Sequence, residues 1–304
     1  MLHVTEADCL TIPAEEGRGN LVWLASFPKS GNTWTRAFLT SYCWKDRQDP
    51  LVQSLNWIPM TNSRARFDRE VGLFSSDLHG EELFELRARY HEHLSAQQQQ
   101  VAFFKVHDAY VFTPSGRALY SPQATRLAVY LVRHPFDVAV SYANHASCSL
   151  ESALDILDGL PADRDEPLGA THCAKQFADR VLGWQENALS WTQNPQYPLL
   201  VLRYEDMKAD PIASFTKLVE AVGLPLDPVR LEKAVQECAF DRLKAEEQEH
   251  GFREKMAGCQ SFFSEGKVGR GANQLSEEQK TRILRNHSRA MELFGYCEDP
   301  SKIC

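Results

Sequence analysis

Residues 21–34 read LVWLASFPKSGNTW, and the architecture follows from them. Leu21–Phe27 is a short apolar run bounded by Pro28, the pattern of a strand buried on both faces. Residues 28–32 make a turn, and residues 33–44 carry helical character. A strand, a tight turn and a helix in that order place unpaired backbone N–H groups around an anion, with the positive end of the helix dipole behind them. Ser30, Gly31, Asn32 and Thr33 would supply those donors. Gly31 permits close backbone approach, Lys29 adds a full charge, and the Thr33 hydroxyl is one donor more. The pattern GxxxxGK[ST] is absent, because here the Lys precedes the Gly. That argues against an ordinary ATPase or GTPase with its Mg²⁺-bound Ser/Thr. Taken alone, the segment also fits a plain strand–helix turn with a solvent-facing Lys29.

Three further apolar runs of strand length follow: residues 101–107 (VAFFKVH), 127–134 (LAVYLVRH) and 199–206 (LLVLRYED). Residues 45–80 read as irregular, 81–99 as a surface helix, and 212–290 mainly as helices with a Gly-rich loop at 265–271. Strands alternating with helices predict an α/β fold, a single domain with a central parallel β-sheet flanked by helices. No internal repeat and no clear linker interrupts it. The expected division is a flexible lead-in over 1–19, one domain over 20–296 and a tail over 297–304. In parallel sheets ligands bind beyond the carboxyl ends of the strands, which directs attention to PKSGNTW, KVH, RHPFDVAVS and RYED.

Two of these ends carry chemistry of their own. Arg133 closes one strand and Ser141 lies eight residues on, beyond the first turn of a helix expected to start near Asp137. Both could reach one anion, and guanidinium matches phosphate geometry in two parallel hydrogen bonds. An Arg133–carboxylate pair with Ser141 merely packed fits equally. Lys105 and His107 stand two apart at a strand end, so alternation puts them on one face. There an imidazole can act as general base and an ammonium can stabilise a negative oxygen. A structural His beside a solvated Lys is the bland alternative.

Together these segments resemble the signatures of sulfotransferases that use 3′-phosphoadenylyl sulfate (PAPS), of the cytosolic, small-molecule type, on a P-loop-like fold. Ser26–Trp34 is similar to the family's 5′-phosphosulfate loop, [TS]-[YF]-P-K-[SA]-G-[TN]-T-W. Arg133, Pro135, Asp137 and Ser141 match its 3′-phosphate motif, with His134 in place of the commoner Asn or Asp. Lys105 and His107 match K-x-H-x-P, with Ala109 where Pro is usual. VLRYEDMKADP (201–211) is similar to R-Y-E-D-[ML]-x-x-[DN]-P. The resemblance covers roughly residues 21–280. It implies in-line transfer of a sulfuryl group from PAPS to an acceptor, most readily a hydroxyl of a small molecule, leaving adenosine 3′,5′-bisphosphate (PAP). His107 would be the base, Lys29 would stabilise the leaving phosphate oxygen, and Lys105 the sulfuryl or acceptor oxygen. Ser141 could also position Lys29 until acceptor arrives. Arg133 and Ser141 would hold the 3′-phosphate; Trp34, Tyr204 and Phe240 would lie at the adenine. No metal is required.

The departures concentrate in FFSEGKVGRGANQ (262–274), which resembles F-[FLM]-R-K-G-x-x-G-[DS]-W. Gly266 and Gly269 are retained, but Ser264-Glu265 replaces the Arg-Lys of the 3′-phosphate clamp. A carboxylate near phosphate is repulsive, so either Lys267 or Arg270 compensates by a shifted register or donor affinity falls. Cys238 stands where Thr or Ser is commoner. The family's C-terminal dimer signature is not evident, and the oligomeric state is not predicted. Residues 45–95 could form an enlarged loop on the acceptor side. Two other classes compete: a small-molecule kinase, which the missing Walker pattern opposes, and a binding protein that has lost catalysis, which intact Lys29, Lys105, His107, Arg133 and Ser141 oppose.

Composition agrees with a soluble globular chain. Of 304 residues, 43% are hydrophobic and 24% charged, which sets aside disordered and fibrous classes. A net charge of −8 disfavours general nucleic-acid binding, which rests on Lys and Arg. Eight cysteines without a CxxC pair read as reduced thiols and an intracellular compartment. The mixed, acidic N-terminus does not read as a signal peptide, and no apolar run approaches a membrane span; a cytoplasmic protein is expected. His91 and His93, two apart on a helix, make a poor metal pair, and Trp184 and Trp191 are expected on one buried helical face. The acidic stretch 163–167 reads as a solvated loop. Phe27, Phe103, Phe104 and Tyr110 either line an apolar acceptor pocket or belong to the core.

Overall fold

The computed structural model describes residues 9–44, 47–160, 176–193, 195–256 and 258–296. Its elements run β1 (Leu21–Ser26), α1 (Asn32–Cys43), α2 (Leu51–Ser54), α3 (Arg64–Val71), α4 (Gly80–Gln97), β2 (Ala102–Val106), β3 (Thr125–Val132), α5 (Pro135–Ala146), α6 (Leu150–Leu157), α7 (Trp184–Thr192), β4 (Leu199–Arg203), α8 (Tyr204–Ala209), α9 (Pro211–Val222), α10 (Pro228–Glu237), α11 (Phe240–His250), α12 (Arg270–Gln274) and α13 (Glu277–Leu293). The four strands form one parallel sheet in the order β2-β1-β3-β4. This is the single α/β domain expected, with helices on both faces.

Alternation along the strands builds two cores. Trp23 and Ala25 of β1, Phe104 and Val106 of β2, and Ala128, Tyr130 and Val132 of β3 face one side, where α4, α5, α6, α7 and α13 pack. Val22, Leu24, Phe103, Leu127, Val129 and Leu131 face the other, against α1, α9, α10 and α11. Every residue of β1 is buried, which is why its sequence is a continuous apolar run rather than an alternating one. Phe27, Phe103 and Phe104 belong to these cores, and Tyr110 packs against Trp191 and Tyr197.

Two expectations change. The helix after β3 begins at Pro135, not near Asp137, because proline suits the first helical position and His134 caps it by accepting from the Phe136 N–H. Ser141 therefore sits deeper in the helix than expected. The 45–80 stretch contains α2 and α3, too short to show a clear apolar period. Finally, α4 is a surface helix with one deeply buried face, made of Phe84, Arg87, Ala88, Tyr90, His91, Leu94 and Ser95. His91 is buried and His93 exposed, so they do point apart, and Trp184 and Trp191 are both buried on α7.

Residues 9–14 run beside the body, with Leu10 N–H bonded to Cys43 O (2.9 Å) and Val101 N–H to Ile12 O (2.8 Å). Stretch 163–167 and tail 297–304 lie outside the described residues. Among the described residues, no helix is long and apolar enough to cross a membrane, and the five described cysteines are free.

Candidate active site

A cavity of about 540 Å³ opens at the carboxyl edge of the sheet, within the size range of small-molecule sites. Its wall includes Lys29, Gly31, Asn32, Thr33, Trp34, Lys105, His107, Arg133, Ser141, Tyr204, Phe240 and Gly266. Of the site residues expected from sequence, Ser30 alone is not in that wall. Its side chain is fully buried beneath the loop, with an unpartnered hydroxyl.

The loop after β1 is shaped by backbone conformation. Lys29 (φ 71°) and Gly31 (φ 102°) both sit at positive φ, and Gly31 caps α1. A Cβ on Gly31 would lie 2.9 Å from Tyr204 Cδ2, so glycine answers both the conformation and the close approach. Asn32 Nδ2 donates to Leu24 O (2.8 Å) and Ser26 Oγ (3.2 Å), tying the loop to its strand. The first N–H groups of α1 are left open to the cavity side. A compact anionic group fits this cradle. Lys29 Nζ lies 4.0 Å from the centre of the Phe262 ring. Burial first, then the charge of Lys105, pushes its ammonium down to about 8.

Lys105 is the penultimate residue of β2 and His107 follows the strand, both in the cavity wall as their spacing predicts. His107 Nδ1 is 2.8 Å from Ser26 O. A carbonyl only accepts, so Nδ1 carries the proton and Nε2 is the bare nitrogen. Burial, then Lys105, pushes this imidazole down to about 3, so it is neutral and able to accept a proton. Asn187 Nδ2 donates to His107 O at 3.0 Å and holds the strand end.

Sequence reasoning missed the partner of Lys105. Glu254 Oε2 accepts from Lys105 Nζ at 2.8 Å and its Oε1 accepts from Arg36; Arg36 also donates to Leu55 O at 2.8 Å. Burial alone would raise the Glu254 carboxyl, but Lys105 and Arg36 outweigh it and hold it well below the usual range. No local signal in GFREKMAG announces this role. The contact joins residues 149 apart in the chain.

On the far side, Arg133 donates to Lys267 O (2.9 Å) and Lys29 O (3.4 Å) and lies over the Tyr204 ring at 4.3 Å. Asp137 is 3.6 Å from Arg133 and accepts from the N–H groups of Gly269 (2.9 Å) and Gly271 (2.8 Å). Tyr204 OH donates to Gly266 O at 3.2 Å. Gly266 (φ 60°) approaches Phe240 so closely that a Cβ would fall 2.3 Å from its ring. Trp34 meets Tyr204 and Phe215 edge-on at 5.8 and 5.5 Å. Glu265 is turned onto Arg270 at 3.1 Å, while Lys244 donates to Ser264 O. Neither Lys267 nor Arg270 is in the cavity wall. The substituted clamp thus keeps its carboxylate paired, and Arg270 is engaged in doing so.

Other parts of the wall were not singled out in the sequence: Met60, Tyr142, His145, Gln176, Asp179, Leu243, Arg253, Lys255 and Met256. Met60 arrives because residues 59–61 run along the end of β2, with Lys105 N–H bonded to Pro59 O and Thr61 N–H to Lys105 O. Part of the 45–95 segment thereby reaches the cavity.

Comparison with known proteins shows the family and the fold. The family model described as Sulfotransferase domain matches residues 20–295. Flavonol 3-sulfotransferase of Flaveria bidentis is 25% identical over 289 residues, covering 87% of this chain and 79% of its own. Cytosolic sulfotransferase 17 of Arabidopsis thaliana is 25% identical over 300 residues, covering 88% and 73%. Among solved structures, mouse sulfotransferase SULT7A1 complexed with PAP superposes with a TM-score of 0.57 at 18% identity, over 92% of this chain and 86% of that one. Retinol dehydratase in complex with androsterone and inactive cofactor PAP gives 0.56 at 18%, over 90% and 81%.

Proposed function

The chain belongs to the sulfotransferase family, and from that membership we propose that it transfers a sulfuryl group from PAPS to a hydroxyl of a small molecule, with His107 as general base. The observation that carries this reading is the convergence of Lys29, Lys105, His107 and Arg133 on one cavity behind a strand–turn–helix anion cradle. Bound there, the donor supplies an activated sulfuryl group on a phosphate leaving group. The α1 N-terminus and Thr33 receive the 5′-phosphate. Arg133 and Ser141 take the 3′-phosphate, and Trp34, Tyr204, Phe240 and Gly266 enclose the adenine. His107 Nε2 removes the acceptor proton, its orientation fixed by the bond to Ser26 O. The new acceptor O–S bond forms as the S–O bond to the phosphate breaks, the proton ends on His107, and PAP leaves. Lys29 stabilises the leaving oxygen. Lys105 has three donors, so it can keep Glu254 as counter-ion and still donate to the transferring oxygens. An intracellular location goes with this reading, supported by relatives named as cytosolic sulfotransferases.

Calorimetric titration with PAP, against 5′-AMP and ATP with Mg²⁺, tests the donor assignment. Tight binding that needs the 3′-phosphate is expected despite Ser264-Glu265; preference for ATP with Mg²⁺ would return the kinase reading. His107→Ala should abolish transfer and leave PAP affinity within about twofold, a difference of ~0.4 kcal/mol.

A further inference from the structure

Several charges around the inner part of the cavity are paired with counter-ions. Lys105 and Arg36 share Glu254. Asp108, just behind His107, is satisfied by Arg87 (3.0 Å), the Tyr120 hydroxyl (2.6 Å) and the Arg180 N–H (2.6 Å). Asp179 has no such partner, although Arg87 and Lys105 act on its charge from further off. Its Oδ1 accepts from the neutral amide of Asn62 at 2.8 Å, and among the described residues no cation stands within ion-pair distance of it. Its place is fixed by the neighbouring backbone: Ala109 N–H bonds Arg180 O at 2.8 Å, so residues 179–180 run beside 108–109, immediately past the base. Asp179 is in the cavity wall together with His107.

Beside the charged groups, the cavity has neutral and apolar wall residues. Gln176, Met60, Met256 and Phe262 line it. His145 is in the wall with an unpartnered Nδ1, and burial, then Lys29, pushes its imidazole down to about 4. The cationic Arg253 and Lys255 are exposed. A carboxylate in such a chamber calls for a ligand cation or a proton.

We propose that Asp179 selects acceptors that carry a protonated amine in addition to the hydroxyl to be sulfated. The proposal rests on the reading above, in which the acceptor lies beside His107. The ammonium pairs with Asp179 while the hydroxyl reaches Nε2, and the aliphatic or aromatic body between them packs on the methionines and Phe262. Burial, then the charge of Asp108, raises Asp179 above the usual carboxylate range when no ligand is present, and an ammonium partner returns it to the ionised form.

The probes are 4-(2-aminoethyl)phenol and 4-ethylphenol, which differ in the amine alone, titrated calorimetrically into the protein saturated with PAP. The amine is expected to bind at least about tenfold more tightly, and Asp179→Asn and Asp179→Ala to bring it down to the level of the neutral phenol. Equal binding of the two probes to the native protein overturns the proposal, as does a preference that survives both substitutions or absence of amine binding at millimolar concentration. The native comparison stands even where a variant fails to fold. Failure of PAP to bind would instead strike the donor reading, and the same pair titrated into the protein alone would still decide the role of Asp179.

Discussion

Lys29 is held in a conformation and an environment that few lysines share, at positive φ and largely removed from water. With its ammonium down at about 8, the charge is complete below that pH and lost above it. The kcat/KM profile for the donor should therefore show an alkaline limb with a midpoint near 8, and Lys29→Arg should move that limb upward, since guanidinium stays charged. His107, down at about 3, is already neutral through the ordinary range, so it should contribute no acid limb near 6; finding one would count against its placement. Gly31→Ala meets both the positive φ and the Tyr204 ring at 2.9 Å. It should weaken PAP by more than about tenfold in a calorimetric titration, roughly 1.4 kcal/mol. The placing of Lys29, Lys105 and Arg133 in the cavity wall could be anticipated because each lies at or just past a strand end within a local motif. Glu254 and Asp179 could not, because what gives them meaning is a neighbour far away in the chain.

At the level of the elements, the four strands were readable from their apolar runs because burial on both faces removes polar residues from them. Helices α2 and α3 were not, since a short helix repeats its pattern too few times to declare it. The start of α5 was misjudged by two residues although Pro135 marks it. That helix does more than present Ser141. Through Asp137 it grips the backbone of Gly269 and Gly271, fastening the late Gly-rich loop beside Arg133. Asp137→Ala strands the buried Gly271 N–H and the part-buried Gly269 N–H and leaves Arg133 without its neighbouring carboxylate. It should cost about 3 kcal/mol in urea unfolding and weaken PAP in parallel. Unchanged stability would mean that the loop is held chiefly by the packing of Gly271 against Phe136.

For the whole molecule, a net charge of −8 opposes the approach of a polyanionic nucleotide, whereas the cavity wall concentrates Lys29, Lys105, Arg133, Lys208, Arg253 and Lys255. Affinity for PAP should accordingly fall as salt rises from about 0.05 to 0.5 M, as screening shortens the reach of those cations. PAP at about a hundred times its Kd should add about 2.7 kcal/mol to stability and raise the melting temperature; no rise would mean the cavity does not hold the nucleotide.

The order β2-β1-β3-β4 has a consequence for how the protein is made. The first of the four strands to leave the ribosome, Leu21–Ser26, is apolar up to its last residue and wholly buried, and it lies between partners that come much later, at Ala102–Val106 and Thr125–Val132. Until residue 132 has emerged, the nascent chain carries a sticky segment with one neighbour or none. A truncation ending in α4 should therefore bind chaperones or aggregate, whereas the finished chain closes over that strand from both sides.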